Sequence, residues 1–418
     1  MSSALLTTGV LAFTAACGGG SDEGGDGGRT TIEFSWWGSD ERHQLTQQAV
    51  DAFMKKNPGI QVEMQYRDWD SYYDTLTTQL ASGDAPDVFT IEIRRLGEIA
   101  RAGQLADLGE LVDTADLNQR LLASGAVDGT QVAVPTGATT FAVMAHDGIL
   151  ADAGVEVPDD SSWTWQDYQA LAAEISAATK DGVYGTQLNF NDAFLRLFAA
   201  QRGEEFYSGD QVGVTAGTIA DWFRLQLELI DDGGSPDADL STEVGATSVE
   251  QSLIATNTGA MGMWWSNQLG ALTEGSGAEV TVLRMPREEG AETDGMFLQP
   301  TMFWAVSEQS DEKEAAAKLV DFLSNDPEAG VILGSDRGLP MNSAVLESVR
   351  GDLPPADRQT LAFIEKHSDS LTAPTAYPNG AGEVPDMLQR YGEEVVFGRM
   401  SPDEAARAFL DEADTALG

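Results

Sequence analysis

The sequence has 418 residues, with 24 basic and 68 acidic side chains, so its formal net charge at pH 7 is −44. This excess of acid argues against nucleic-acid binding and against docking on anionic lipid, because both need clustered positive charge. The simplest interpretation of the acidity is a solvated surface. With 42 % hydrophobic residues the chain can bury a sizeable interior, and its length favours two lobes over a single core.

The first 29 residues are predicted to precede the folded body. Residues 4–16 form an apolar run that is too short to span a bilayer, and it ends at Cys17, the only cysteine. This run resembles a bacterial lipoprotein signal, with 1–16 as signal peptide and Cys17 as the lipidated residue, bearing lipid such as palmitate. Thr14 stands where leucine is commoner, and an ordinary signal peptide with an incidental cysteine is the alternative. Residues 17–29 are glycine-rich and acidic, which predicts a flexible tether, so we expect a protein lipid-anchored to the outer face of the cell membrane.

The body opens with alternating strands and helices. Residues 32–37 alternate in the two-residue period of a strand, and 42–56 carry apolar side chains at helical spacing. Further strands are predicted at 60–66 and 87–91, with a helix over 72–80 between them. The order strand, helix, strand, helix, strand is typical of a parallel sheet.

The remaining elements follow the same kind of evidence. Thr164 and Ser401 each precede a helix and have an acid three residues on, which indicates capping boxes. The further elements predicted are strands at 131–137, 182–188, 259–265, 280–283 and 302–306, and helices at 94–102, 105–112, 194–200, 219–230, 248–256 and 312–324.

Several short motifs occur in an order that points to one family. The motifs are Phe34-Ser35-Trp36-Trp37-Gly38, Lys56-Asn57-Pro58-Gly59-Ile60-Gln61-Val62, Leu80-Ala81-Ser82-Gly83-Asp84-Ala85-Pro86-Asp87-Val88, Trp163-Thr164-Trp165, Thr258-Gly259-Ala260-Met261-Gly262-Met263-Trp264 and Arg337-Gly338-Leu339-Pro340. From about residue 30 onwards the chain resembles the extracellular solute-binding proteins of ABC sugar importers, the family that includes maltose-binding protein. One departure is Ala145-His146-Asp147, where many relatives have Tyr-Asn before the acid.

The resemblance implies an α/β fold of the two-lobe, type II periplasmic-binding-protein kind, with the ligand cleft between lobes joined by hinge crossings. Lobe one would comprise 30–140 plus 302–350, and lobe two 141–301 plus 351–418. The implied function is to bind a sugar or oligosaccharide and deliver it to the ABC permease subunits in the membrane. We expect a monomer that needs no cofactor or metal.

Candidate ligand residues follow from what a sugar requires, namely aromatic faces for its C–H surfaces and polar groups for its hydroxyls. The Trp36–Trp37 and Trp264–Trp265 pairs stand at strand ends, and we expect one member of each to stack on the ligand; the alternative is that both pack in the core. Trp69 is a further candidate. Trp222 and Trp304 lie in apolar runs that predict core positions, whereas Trp163 fits either the lobe surface or the cleft.

Polar candidates lie in the loops that follow strands. For Asp87 a turn role, and for Arg42 a place in the first turn of a helix, are the structural alternatives. Asp70 and His43 are weighed alongside the set, with His43 equally suited to the surface. The predicted polar ligand residues are Arg42, Asp68, Asp87, Glu92, Asn189, Asn191, Asn267 and Arg337.

Two other functions compete with sugar binding. A receptor for a cation such as a polyamine would also combine tryptophan faces with acids, although Arg42 and Arg337 count against it. A glycoside hydrolase would need two carboxylates about 5–10 Å apart, and 68 acids make such a pair uninformative. The sequence has no phosphate-binding loop, zinc-protease motif or nucleophile elbow, so we expect a binding protein and not an enzyme.

Overall fold

A computed structural model describes residues 29–373 and 377–418. The predicted signal peptide, Cys17 and residues 18–28 lie outside the described residues, as does the side chain of Asp70. Within the described ranges, none of the helices combines the length and apolar character that crossing a bilayer requires.

Within the described residues the chain forms fourteen strands and sixteen α-helices. The first part contains β1 (Thr30–Trp37), α1 (Asp40–Lys56), β2 (Ile60–Arg67), α2 (Trp69–Ser82), β3 (Val88–Ile91), α3 (Ile93–Arg101), α4 (Gln119–Leu122), β4 (Ala126–Val127), β5 (Thr130–Gln131) and β6 (Ala133–Pro135). The middle part contains β7 (Ala138–His146), α5 (Asp147–Asp152), α6 (Trp165–Ala178), β8 (Tyr184–Thr186), α7 (Asp192–Gln201), β9 (Tyr207–Ser208), β10 (Gln211–Val212), α8 (Ala216–Asp231), α9 (Ala238–Gly245), β11 (Gly259–Trp265), α10 (Leu269–Ser276), β12 (Val280–Leu283) and β13 (Leu298–Pro300). The last part contains β14 (Phe303–Val306), α11 (Lys313–Asn325), α12 (Pro327–Leu333), α13 (Ser343–Val349), α14 (Pro355–His367), α15 (Val384–Val396) and α16 (Pro402–Leu417).

The first sheet has the strand order β2-β1-β3-β14-β6. β1 pairs in parallel with both β2 and β3, so these three strands end at the same edge. β14 runs antiparallel to β3 and β6 and begins at that edge. The residues that follow β1, β2 and β3 therefore meet beside the residues that precede β14.

The second sheet has the order β12-β7-β11-β8, with β13 added to the start of β7. All nine residues of β7 are buried, so this strand forms the centre of the second core. The chain passes between the sheets by two short crossings, each of two residues. The first runs from β6 to β7 and the second from β13 to β14. Thr136 and Thr301 lie on these two crossings, and their hydroxyl oxygens are 3.1 Å apart.

The predicted fold class is confirmed, since two α/β lobes are joined by short crossings that suit a hinge. Near residue 350 the chain passes between them again, because α13 packs on α12 whereas α14 packs on α10 and β12. With the lobe boundaries proposed from the sequence, the first sheet falls in lobe one and the second sheet in lobe two, except that 138–140, at the start of β7, would fall in lobe one. The ends of both sheets face a shared cleft at the first two crossings.

Several local predictions need correction. The helix predicted at 105–112 is absent. Leu105 bridges to Ser307 and the N–H of Leu108 bonds to Gln131, which holds 105–108 extended, and 109–111 form only a turn. The helix predicted at 248–256 is a short 3₁₀ turn followed by irregular chain, and α9 was not predicted. By contrast, the capping boxes that start α6 and α16 are both present.

Candidate ligand-binding cleft

A cleft of about 260 Å³ lies where the ends of the two sheets face each other. The first sheet and its helices contribute Trp37, Arg42, Trp69, Glu92, Ile93 and Arg94. The second sheet and the turn after β11 contribute Thr139, Trp265, Asn267, Gln268, Gln299 and Pro300, and the second crossing contributes Thr301 and Met302. The cleft therefore draws on both lobes.

Trp37 and Trp69 form an aromatic corner on the first lobe. Trp37 ends β1 and is 7 % exposed, packed against Tyr72 and Tyr73 of α2. Trp69 begins α2 and meets the Trp37 ring edge to face, with the ring centroids 5.1 Å apart. Trp69 is 43 % exposed, which is unusual for so large an apolar ring and leaves one face accessible from the cleft. The neighbouring rings of α2 thus hold a second, exposed ring in place.

Trp36 points the other way, because adjacent residues of a strand face opposite sides of the sheet. It is 1 % exposed and does not line the cleft. Its indole N–H donates to Nδ1 of His43 at 3.1 Å, and its ring contacts Phe34 and Tyr66. Trp36 and His43 thus belong to the packing between β1 and α1.

The second tryptophan pair divides in the same way. Trp265 lines the cleft and packs edge to face on Phe141 and Phe297. Trp264 lines a separate cavity of about 220 Å³ in the second lobe, together with Asn189 and Asn191. Trp264 and Trp265 are therefore neighbours on β11 but line different cavities, because adjacent side chains of a strand point to opposite faces.

Arg42 is held by a carboxylate of its own lobe. Its Nε lies 2.9 Å from Oδ2 of Asp336, and its Nη2 donates to the Asp336 carbonyl at 3.0 Å. The Arg42 side chain passes directly over Gly38, where a Cβ would stand 2.3 Å from Cδ of Arg42. Gly38 also has a φ of +154°, which other residues rarely adopt. The glycine after the tryptophan pair therefore lets Arg42 reach its partner.

Arg337 lies behind this pair and outside the cleft lining. Its Nη1 shares Oδ2 of Asp336 at 3.0 Å, and its Nη2 donates to Thr46 at 2.7 Å. Burial, together with repulsion from Arg42, lowers the pKa of Arg337 to about 9. We call Arg42, Asp336 and Arg337 the lobe-one ion cluster.

A second ion cluster joins the two lobes. Glu92, directly after β3, accepts from Nη1 of Arg94 at 2.8 Å. Nη2 of Arg94 lies 2.8 Å from Asp192 at the start of α7, in the second lobe. Burial acts to lower the pKa of Arg94, but Asp192 and Glu92 outweigh it and raise that pKa. We call Glu92, Arg94 and Asp192 the interlobe ion cluster.

Neutral amides and hydroxyls complete the lining. The Asn267 side-chain oxygen accepts from the Thr139 hydroxyl at 3.0 Å, and the Gln299 oxygen accepts from Tyr377 at 3.4 Å. Within the part of the chain that the structure describes, the amide nitrogens Nδ2 of Asn267 and Nε2 of Gln299 have no protein partner. Gln268 accepts from the backbone N–H of Trp265 at 3.0 Å. The cleft thus offers uncharged hydrogen-bond donors beside aromatic rings.

Other predicted ligand residues serve local structure. Asp68 is the N-cap of α2 and accepts from Ser71, and Asn191 is the N-cap of α7. Asn189 donates to the Met263 carbonyl at 2.7 Å. Asp87 precedes β3, at the edge opposite the cleft, and accepts from the backbone of Glu33.

Three tryptophans outside the pairs are also placed by the structure. Trp222 and Trp304 are fully buried, which confirms their predicted core positions. Trp163 is buried in the second lobe, where its indole N–H donates to the Arg284 carbonyl. It does not reach the cleft.

Sequence reasoning missed Arg94, Thr139, Gln268 and Gln299. Gln268 follows the second tryptophan pair by three residues, so the rule that strand ends carry ligand groups also covers it. Thr139 and Gln299 lie on β7 and β13, neither of which was predicted. Arg94 sits in a predicted helix, and its role depends on a partner 98 residues away.

Two facing α/β lobes with a cleft between them define a two-lobe binding protein. The model of the bacterial extracellular solute-binding protein family matches residues 37–330. The chain belongs to this family, and the predicted family is therefore confirmed.

Individual relatives are more distant. The chain is 24 % identical over 383 residues to a putative binding protein of Brucella abortus, which covers 88 % of each chain. A similar structure is the Listeria monocytogenes ABC substrate-binding protein in complex with cycloalternan, with 23 % identity, a TM-score of 0.78 and coverage of 93 % of this chain and 99 % of the other. Another is the Yersinia enterocolitica periplasmic oligogalacturonide-binding protein in complex with saturated digalacturonic acid, with 20 % identity, a TM-score of 0.79 and coverage of 93 % and 98 %. At these identities the structural likeness shows a shared fold.

Proposed function

We propose that this protein is the extracytoplasmic receptor of an ABC importer and that it binds a sugar or oligosaccharide in the cleft between its lobes. The observation that carries the proposal is the composition of the cleft. Trp37, Trp69 and Trp265 supply aromatic rings, and Asn267 and Gln299 supply amide N–H donors. Aromatic faces beside neutral polar groups match the alternating C–H and hydroxyl surfaces of a sugar. The saccharides bound by the Listeria and Yersinia proteins support the same ligand class.

The two crossings suggest how the ligand is held. A sugar that touches Trp37 on one lobe and Trp265 on the other gains contacts only when the lobes approach. The ligand therefore favours the closed arrangement by its differential contacts, as in other hinged binding proteins. The closed form is the one that we expect the membrane permease subunits to recognise.

The membrane attachment is a separate part of the proposal. Lipid on Cys17 would keep the receptor beside the permease, with residues 17–29 as the lipidated tether. A Cys17→Ser variant should move the protein from the membrane fraction to the soluble fraction and should lose incorporation of labelled palmitate. Membrane retention of the variant at the wild-type level would contradict the lipid anchor while leaving the ligand proposal intact.

Thermal-shift screening of the purified protein tests the ligand class directly. We expect neutral or acidic oligosaccharides to raise the melting temperature, because a ligand that binds only the folded state stabilises it. Stabilisation by polyamines alone would contradict sugar binding. Appearance of shorter sugars after incubation with an oligosaccharide would contradict a pure binding role.

Alanine variants then test the stacking rings. Trp265→Ala should weaken binding of the stabilising sugar about tenfold, because a lost aromatic stacking contact costs on the order of 1–2 kcal/mol. Trp69→Ala should have a similar effect with little change in stability, since this ring is largely exposed. Tyr66→Ala is the matched control, because Tyr66 is an exposed ring of the same lobe that does not line the cleft. Equal affinities of the wild type, the two tryptophan variants and the Tyr66→Ala control would show that the rings of Trp69 and Trp265 do not contact the ligand.

A further inference from the structure

The charged side chains of the cleft restrict the charge that a ligand can carry, which membership of the family does not do. The charged side chains lining the described cleft are Arg42, Glu92 and Arg94. A ligand of either charge sign needs an opposite charge that is available to it, because a buried charge without a partner is strongly unfavourable. The question is whether any of the three is available.

Arg42 is already committed to Asp336. The guanidinium uses Nε on the carboxylate and Nη2 on the backbone carbonyl of the same residue. This two-point contact fixes the plane of the guanidinium. Among the described residues Nη1 of Arg42 has no protein partner, so it can donate to a ligand hydroxyl, whereas a ligand carboxylate placed there would lie beside the carboxylate of Asp336. Arg337 adds a positive charge to the cluster, but it is buried on Thr46 and does not line the cleft.

Arg94 is committed twice. One nitrogen of its guanidinium meets Glu92 and another meets Asp192, both at 2.8 Å. A ligand anion near Arg94 would face two carboxylates within the same cluster. A ligand cation that approached Glu92 would share its carboxylate with Arg94 and would lie beside the positive charge of that arginine.

The charges of the two clusters also cancel. Arg42, Arg337 and Arg94 are balanced by Asp336, Glu92 and Asp192, so the set has no net charge. The whole chain, at −44, repels anions at long range. Among the described residues the cleft donors with unused capacity are the amide nitrogens of Asn267 and Gln299, together with Nη1 of Arg42, whose guanidinium already faces the carboxylate of Asp336.

We infer that the ligand is an uncharged saccharide and that the interlobe ion cluster selects against both uronic-acid and amino-sugar ligands. This inference rests on the proposed function and specifies its substrate class. The cluster contributes specificity in two ways, because its carboxylates repel anions and its arginine occupies the place of a cation.

The test is a comparison of three ligand panels on the purified protein by titration calorimetry and thermal shift. The panels are neutral oligosaccharides of two to five residues, oligogalacturonides of the same lengths and glucosamine oligomers of the same lengths. We expect binding from the neutral panel, with an affinity that hardly changes with salt since no ligand charge is screened. Tighter binding of an oligogalacturonide or a glucosamine oligomer than of any neutral sugar would overturn the inference and leave the proposed function standing. Failure of all three panels would contradict the proposed function itself, and the inference with it.

Charge-removal variants test the assigned cause. Asp192→Asn and Glu92→Gln each remove the charge of one partner of Arg94. Each should therefore raise the affinity for an oligogalacturonide, relative to the affinity for a neutral oligosaccharide, by about tenfold. Asp221→Asn is the matched control, because Asp221 pairs with Arg202 at the surface of the second lobe and away from the cleft. An unchanged ratio in both cluster variants, with wild-type folding, would show that the cluster does not set ligand charge. The wild-type panels decide the ligand class even if a variant does not fold.

Discussion

The lobe-one and interlobe ion clusters each contain three charged residues, but they differ in charge and in position in the fold. The lobe-one cluster holds two arginines around Asp336, and all three residues move with one lobe. The interlobe cluster holds Arg94 between Glu92 of its own lobe and Asp192 of the other. The first cluster can affect ligand binding only by fixing Arg42, whereas the second also changes when the lobes move.

This difference assigns separate consequences to damage at each place. Breaking a cluster within one lobe costs folding stability, because the remaining charges stay buried together. Breaking a cluster between lobes costs less stability, because opening of the cleft lets water reach the charges that remain. It should instead alter the balance between open and closed arrangements.

The largest expected effect is on stability, from Asp336→Ala. This change leaves Arg42 and Arg337 close together without their shared carboxylate, and it removes the group that acts against burial and Arg42 to raise the pKa of Arg337. We expect the free energy of unfolding to fall by about 3–5 kcal/mol, the usual cost of breaking a buried ion pair. Denaturant unfolding at pH 7 measures it.

The control for Asp336→Ala is Glu347→Ala, which removes the 74 %-exposed partner of Arg350 on the same lobe. An exposed pair contributes at most about 1 kcal/mol. Equal losses in the two variants would mean that the lobe-one cluster is no more important to stability than a surface pair.

The second effect is on lobe closure, from Arg94→Met. Methionine keeps much of the apolar volume but leaves Glu92 and Asp192 facing each other across the lobes. We expect a more open average structure, with a larger radius of gyration by small-angle scattering, and ligand affinity lower by a factor equivalent to about 2 kcal/mol.

Arg202→Met is the matched control, since Arg202 is a partly buried arginine with two carboxylate partners, Asp221 and Glu288, and all three lie in the second lobe. It should lower stability without changing the radius of gyration. Identical scattering curves for Arg94→Met and the wild type, with and without ligand, would show that the interlobe cluster does not bias closure.

The same contrast explains how far the sequence could predict the site. Periodicity identifies β1 and places Trp36 and Trp37 on opposite faces, because strand alternation is a local property. It does not say which tryptophan faces the cleft, since that depends on the side of the sheet that α1 covers. The helices α1, α2 and α3 and the capping boxes of α6 and α16 were likewise readable from local patterns, whereas α10, which follows Gln268, was not predicted.

The ion clusters were not readable in this way. Arg337 was predicted as a ligand residue, but it donates to Thr46, which is 291 residues away in the chain. Arg94 and Asp192 are separated by 98 residues and lie in different lobes. β7 was missed because a strand buried along its whole length shows no alternation. Contacts of this range are set by how the lobes assemble, and a single sequence does not record them.

The smallest expected effect is a pH dependence at His43, which lies beside the lobe-one cluster. Burial lowers the pKa of His43 below its ordinary value of 6.5, and the charged groups acting on it are Asp40, Arg42, Arg337 and Asp336. Nδ1 of His43 accepts the Trp36 N–H, which it can do only while that nitrogen is unprotonated. Because the folded state takes up this proton less readily than the unfolded state, the stability contribution of His43 is fully present above pH 6.5 and is lost as pH falls through the lowered pKa.

Unfolding of wild type and His43→Gln between pH 4.5 and pH 7.5 measures this contribution, since glutamine keeps a hydrogen-bond acceptor but does not titrate over about that range. We expect the difference in stability between the two proteins to shrink as the pH falls, by less than about 1 kcal/mol because His43 is only partly buried. Arg94→Met should leave this pH dependence unchanged, because Arg94 is not among the groups that act on His43. A pH dependence that disappears in Arg94→Met instead would mean that the two clusters are coupled and do not act as separate units.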